Sequence, residues 1–556
     1  MRLGRAIAGT AAVAVTLGVT ALGGAILAGP ALIGGAATDL LHDAGFSGAG
    51  LAVTGLRIAD GWDGLRLDFT AGSGPLETAA PTLDLPMTGR VTLSGALRVG
   101  MDGGTLTVSP DGCLPVVADK LSISGQALEL PQGATVCAMP DGPLLRWSPS
   151  AMTVAAEVKA PRLDAPASSL RADRLVLRLG QDGNRRQADA TIAKLTNTAK
   201  PAPVVPLTVT LRAVQEGEQP WSIDGTAKDA QGLLSVTLTG SYDQTAGAGR
   251  VEAVAKPVAL APDGPGLAAL SPLAASFLQK ASGTLSGKAT IAWDAKGMTT
   301  AGQAAVKGLA GVAGPVTVAG VTGTMALASL SPPVIPAGQR LSIGLLDVGV
   351  PLTDGTLQFG YGRDGRLDVG RAEWRWAGGT LRADPFKLAP AAPKGTVTLH
   401  AHGIDAAKLL ELIAVDGLEA SGRLAGTLPV VFGDDTVTLN GGVLESAAPG
   451  TLRYDPANPP AALKGEEGSP TAMLMGALTD FRYDSLRITI DGQAGGELSA
   501  GLFLRGANPS FYDGYPVALN LKLSGALDRI LRQNLDVYRI PDTLRDRMSG
   551  SDQKDP

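Results

Sequence analysis

Three runs between Leu486 and Ser524 set the pattern of this chain. Leu486, Ile488 and Ile490 alternate with Arg487, Thr489 and Asp491. Leu498, Ala500, Leu502 and Leu504 alternate with Glu497, Ser499, Gly501, Phe503 and Arg505. Val517, Leu519, Leu521 and Leu523 alternate with Ala518, Asn520, Lys522 and Ser524. A β-strand sends successive side chains to opposite faces, so each run predicts a strand with one apolar face. The turn formers of Gly492 to Gly496 and Asn508 to Gly514 separate the runs. The prediction is a meander of at least three strands. Its apolar face needs a cover, whether the rest of the chain, a partner or a lipid.

Shorter alternating runs recur from Leu51 onward. They include Leu65/Leu67/Phe69, Val91/Leu93/Gly95/Leu97 and Leu106/Val108. Further on come Leu175/Leu177/Leu179, Leu207/Val209/Leu211 and Leu234/Val236/Leu238. Their spacing is irregular, so no strict short repeat emerges. Helical periodicity is rare. Ser271 and Pro272 predict a helix carrying Leu273, Phe277 and Leu278 and stopped by Gly283. Asp405 predicts the cap of a second, with Leu409, Leu412 and Ile413 on one face and Gly417 at its end. Leu531, Leu535 and Tyr538 predict a third, broken by Pro541, before a polar tail from Ser549. The Pro-rich stretches Ala199 to Pro206, Ser331 to Pro336 and Asp455 to Pro470 read as loops. The fold class is therefore mainly β and antiparallel-rich, with few short helices.

Composition narrows this picture. The 74 glycines and 38 prolines are spread between short Val/Leu/Ile/Thr runs, as many strands and turns require. Aromatics make up 4 %, so any core is built from Ala, Val and Leu, which suits a smooth lined cavity better than a thick core. The net charge of −5 comes without a basic block, so nothing points to nucleic acid. Arg2 and Arg5 precede an uncharged stretch from Ala6 to Thr38. Such a stretch is long enough to cross a bilayer, and the leading positive residues would keep the N-terminus in the cytoplasm. An uncleaved anchor is preferred. The other reading is a signal peptide cut between Ala28 and Ala37.

Candidate chemistry is sparse. Cys113 and Cys137 are the only cysteines. Beyond a membrane they meet oxidising conditions, which favours a disulfide over two unpaired thiols. His400 and His402 share a strand face, where a polar stripe is a commoner reading than a metal site. His42 is isolated near the end of the uncharged stretch. Trp374 and Trp376 share another face, for which packing is the commoner reason. Gly45 to Ala49 lacks the second glycine of a nucleophile elbow, and Gly283 to Lys288 is one residue short of a phosphate loop. No catalytic constellation, metal set or cofactor motif emerges, so the chain reads as a non-enzyme.

Several stretches resemble YdbH-like proteins of the AsmA-like group, which includes TamB. They are the run from Gly417 to Pro456, ALTDFRYDSLRITIDG from Ala477, and LRGANPSFYDGYPVALNLKLSGALDRILRQNLDVYRIPD from Leu504. DGCLPV around Cys113 and CAMPDGPLLR around Cys137 resemble the family's N-terminal part. The resemblance implies a single-pass inner-membrane anchor with the bulk of the chain in the periplasm. It also implies an elongated, twisted, taco-like β-groove that conducts phospholipids to the outer membrane. A small outer-membrane lipoprotein would meet the C-terminal end. On this reading 1–38 is the anchor, while 39–260, 261–403 and 404–525 are successive parts of the groove. Residues 526–556 form a helical segment and tail. The groove lining falls on Leu486, Ile488, Ile490, Leu498, Leu502, Leu504, Val517, Leu519, Leu521 and Leu523. The alternative is a TamB-like factor that templates outer-membrane proteins on an open strand edge.

Overall fold

The computed structural model describes residues 49–526 and Thr38, apart from 59–63, 74–86, 124–125, 141, 262–263, 265, 295, 315, 331, 349, 391–392, 412–416, 434–435, 457–468 and 494–496. The predicted anchor, His42 and the C-terminal helix and tail lie outside the described residues. Among the described residues no helix is long and apolar enough to cross a membrane. The described chain is mainly antiparallel β with few helices. It forms two compact units.

The first unit starts with β1 (Ala49–Ile58), β2 (Leu65–Ser73), β3 (Met87–Asp102), β4 (Thr105–Pro110) and β5 (Leu114–Ile123). The short strands β6 (Gln126–Leu128), β7 (Ala134–Ala138) and β8 (Leu145–Ser148) follow. Then come β9 (Ala151–Ala165), β10 (Leu170–Asp182), β11 (Arg185–Asn197), β12 (Leu207–Glu216), β13 (Trp221–Asp229), β14 (Ser235–Asp243) and β15 (Ala248–Leu260). From β9 to β15 each strand pairs antiparallel with the next. Leu67, Val99, Leu106, Val108 and Leu145 form a small core among the first strands. The β9–β15 stretch is different. From Ala151 to Lys256 the buried apolar side chains are Ala156, Ala160, Ala172, Val209 and Ala227, and its leucines stay half-buried or exposed.

The end of β15 from Pro257 belongs to the second unit, and β16 (Gln279–Asp294) and β17 (Gly297–Ala313) contribute residues to both units. The second unit continues with β18 (Val316–Leu327), β19 (Ser329–Leu330), β20 (Pro333–Asp347), β21 (Pro351–Tyr361) and β22 (Leu367–Trp376). β23 (Gly379–Ala383), β24 (Phe386–Leu388), β25 (Gly395–Asp405), β26 (Leu418–Ala420) and β27 (Arg423–Phe432) come next. The last are β28 (Val437–Ser446), β29 (Gly450–Tyr454), β30 (Phe481–Gln493), β31 (Glu497–Ala507) and β32 (Val517–Ala526). Unlike β9–β15, this unit has a dense core. Leu381, Ile404, Leu424, Leu444, Leu452 and Phe481 are each at most 1 % exposed. Trp374 and Trp376 pack into the same cluster.

Three expectations need correction. The stretch Ser331 to Pro336 is not all loop, because β20 begins at Pro333. Proline is tolerated there because Pro333 is the first residue of the strand and Pro336 falls in the register break between Ile335 and Gln339. The helix at Pro272 ends at Phe277, and Gly283 lies inside β16 rather than at a helix end. Finally, Pro470 opens a helix, Pro470–Leu478, where a loop was expected. Ser469 caps it by accepting from the Ala472 N–H at 3.2 Å, and a proline in the first turn lacks only a donor that has no partner there anyway. The Asp405 cap is present, accepting from the Ala407 N–H at 3.0 Å on a helix Ala406–Glu411. Leu412 and Ile413 are outside the described residues.

Candidate functional site

The C-terminal meander forms with its three strands in sequence. Leu486 faces Leu504, Ile488 faces Leu502 and Ile490 faces Ala500 across β30–β31. Leu502 faces Leu521, Leu504 faces Leu519 and Ala500 faces Leu523 across β31–β32. One apolar face thus runs through the meander. It is largely covered by the second unit's own core: Leu486 and Ile488 are 2 % exposed, Leu502 and Leu504 1 %, and Ile490 8 %. Val517 and Leu519 are partly buried against that core. The strand register is described for Leu498, Leu521 and Leu523, whose side chains lie outside the described set. The opposite face is wet. Arg487 pairs with Glu445 at 2.6 Å, and Phe503 stands 42 % exposed.

The other candidates fall in three places. Cys113 and Cys137 are joined by a disulfide. His400 Nε2 lies 3.0 Å from Asp384 Oδ1 on the exposed face that also carries His402. Among the described residues no group of three or more His, Cys, Asp or Glu could hold a metal ion. The two tryptophans serve packing, each with a buried Nε1 that has no hydrogen-bond partner.

A second apolar face, in the first unit, is less covered. Across β9 to β12, Val158, Leu177, Ala190 and Leu211 stand in one cross-strand row. Gly225, Leu238 and Ala253 carry that row on to β15. On one side lies the row of Leu175, Ile192, Val209 and Ala227, on the other that of Leu179, Ala188, Ala213 and Ile223. Leu175, Leu177, Leu211, Ile223 and Leu238 are all half-buried. The separate runs were legible in the sequence, but their assembly into one face was not. Its signal was the short turns, such as Gly183–Asn184 between β10 and β11, which force neighbouring runs to pair as hairpins.

The reverse face of these strands is polar and nearly neutral. Glu157, Arg178, Asp189, Arg212 and Asp224 alternate in sign across five strands. Arg178 and Lys159 reach Glu157 at 2.9 and 2.6 Å. The hydrogen bond from Lys159, then that from Arg178, holds the Glu157 carboxyl below the usual carboxylate range. Next to this ladder, Thr191, Thr210, Thr226 and Thr237 form a hydroxyl row. It floors an open hollow of ≈ 430 Å³ beside Asp189, Arg212 and Asp224. Arg212 stands between Asp189 and Asp224 there, in cross-strand register with both. Like charges directly opposite would destabilise a sheet, whereas this alternation supports pairing.

A sheet that is apolar on one face and lined by paired charges on the other, over many successive registers, defines a mainly antiparallel β protein. Residues 57–549 match the YdbH-like family, described as intermembrane phospholipid transport protein YdbH, and the chain belongs to that family. No curated protein and no solved structure matches it.

Proposed function

We propose that this chain is an inner-membrane-anchored periplasmic bridge that conducts phospholipids between the inner and outer membranes along its apolar sheet faces, without catalysis. The observation that carries the reading is the half-covered apolar face of β9–β15. An acyl chain lying on it leaves water, at about 0.8 kcal/mol per buried methylene. Small and medium aliphatic side chains give that face no deep pocket in which a chain would be trapped. Family membership supports phospholipid as the cargo.

The uncharged stretch from Ala6 to Thr38 serves as the anchor, and 39–525 as the groove with the division given above. Lipid engages the C-terminal meander first at Val517 and Leu519, the partly buried margin of the face. The residues Leu486, Ile488, Ile490, Leu498, Leu502, Leu504, Leu521 and Leu523 form the wall behind it. A small outer-membrane lipoprotein receives the lipid at that end. Photocrosslinkers placed in cells at Leu211 and Leu238 should capture phospholipid, and those at Thr210 and Thr237 on the reverse face should not. Equal capture from both faces would reject the reading. Capture of nascent outer-membrane proteins in place of lipid would favour the strand-templating alternative.

A further inference from the structure

The apolar face of β9–β15 changes character at one end. Past Leu179, Ala188 and Ala213, the next residues on that face are Gln181, Arg186 and Gln215. Gln181 faces Arg186 across β10–β11, and Arg186 faces Gln215 across β11–β12. The register that pairs Val214 with Ser222 brings Trp221 next in line, on the face of Ile223. Trp221 faces Tyr242, and Tyr242 faces Gly249. Gly249 is required there, because a Cβ would lie 2.1 Å from the Trp293 ring that covers it. Trp293 stacks on Tyr242 with ring centroids 6.2 Å apart. One terminal row therefore carries an arginine, two glutamines and an aromatic group.

Arg186 is an unusual member of such a face. Its Nη1 donates to Gln215 Oε1 at 3.0 Å, and Gln215, fully buried, donates in turn to the Gln219 carbonyl at 2.9 Å. Its Nε is buried with no partner, and so is Gln181 Oε1 in the neighbouring strand. Among the described residues no carboxylate pairs with this guanidinium, and burial alone pushes its pKa down. Arginine nevertheless stays ionised at physiological pH, and this half-buried guanidinium, with its Nε out of water, carries a charge that no carboxylate offsets. An anion on this row would offset it. Tryptophan and tyrosine rings, apolar in body and polar at one edge, are the side chains that settle where hydrocarbon meets headgroups.

We infer that this row is a headgroup station: Arg186 receives the phosphate of a phospholipid, Gln181 Oε1 accepts from the headgroup's amine or hydroxyl, and the acyl chains run down the rows of Leu179, Leu177 and Leu175. The inference rests on the lipid-conduction reading. Same-face residues recur about every 6.7 Å along a strand, so the station lies about 20 Å from the Leu175 row. That is the scale of one leaflet's hydrocarbon, about 15 Å. The face thus repeats the order of half a bilayer: charge, aromatic belt, hydrocarbon.

The test uses the full chain purified in detergent and native mass spectrometry, with phosphatidylethanolamine, diacylglycerol of the same chains and glycerol 3-phosphate as probes. Wild type should bind phosphatidylethanolamine about tenfold more tightly than diacylglycerol, the scale of one charge-assisted contact. Arg186→Gln should lose that preference and keep its diacylglycerol binding, while Arg186→Lys should restore part of it. Thermal melting checks that the variants fold. If Arg186→Gln unfolds, the wild-type ratio of the two lipids still decides. Equal affinity of wild type for both lipids, or an undiminished preference in Arg186→Gln, would overturn the station and leave lipid conduction standing. Glycerol 3-phosphate binding as tightly as phosphatidylethanolamine would identify a free phosphate-ester site and overturn the lipid source. Failure of both lipids to bind would remove lipid conduction and the station with it.

Discussion

Glu157 shows how single residues hold the polar face. Its carboxyl is nearly out of water between Lys159 and Arg178 and has a lowered pKa. The unfolded chain therefore takes up a proton more readily than the folded one, so stability rises with pH in the acid range. The contribution is complete above the ordinary glutamate value of about 4.3 and is lost as pH falls through the lower folded value. Glu157→Gln should be less stable than wild type at neutral pH, with the gap closing in acid. Urea titrations at a series of pH values would show this, and a gap independent of pH would contradict it. On the apolar side, Ile488→Asp places a charge where the side chain is 2 % exposed. It should destabilise by roughly 3–5 kcal/mol, the range for an unpaired buried charge. Lys522→Asp, on the exposed face, should shift stability by less than about 0.5 kcal/mol. Thermal unfolding of the two variants gives the comparison.

Among the elements, the Pro470–Leu478 helix depends on its start and on one close contact. Ser469→Ala removes the cap and should cost about 1 kcal/mol. Gly476 lies under the Phe511 ring, which would stand 2.3 Å from an added Cβ. Gly476→Ala should therefore be the worse change, although alanine is the better helix former. Amide hydrogen exchange in this helix would rank the two, and a Gly476→Ala variant as protected as wild type would contradict the packing account. In the first unit, the Cys113–Cys137 disulfide joins residues 24 apart, tying the residue just before β5 to the neighbouring β7. Closing a loop of that length stabilises by about 3 kcal/mol on the chain-entropy account. Cys113→Ser with Cys137→Ser should lower the melting temperature, and reductant should then have no further effect.

For the whole molecule, the decisive quantity is lipid movement. Leu211→Asp places a carboxylate in the middle row of the half-covered face and should abolish complementation of an envelope-lipid defect at unchanged protein level. Thr210→Asp, one residue away on the reverse face, should complement fully. Since Leu211 is half-buried, the charge keeps some water and the fold should survive, which Ile488→Asp would not ensure. If the proposed anchor is kept, intact-mass measurement of the protein purified from cells should retain residues 1–38, and a mature start near Ala37 would remove the anchor.

The alternation of apolar and polar residues was enough to predict the C-terminal meander and the mainly β class, and the resemblance of quoted strings pointed to the family. Side-chain direction in a strand follows from sequence parity, and the family's motifs are local strings. Parity alone does not say what covers a face. The same pattern that gave Leu486, Ile488, Leu502 and Leu504 gave Leu177, Leu211 and Leu238. Only the tertiary structure separated the first set, sealed into a core with Leu444 and Phe481, from the second, half-buried on a face whose reverse carries threonines and paired charges. It also decided that Arg186, Gln215, Trp221 and Tyr242, up to 56 residues apart along the chain, meet in one row. The reason is that the short turns fix which neighbouring strands pair, whereas the register across several strands and what covers a face are set only when the whole sheet assembles.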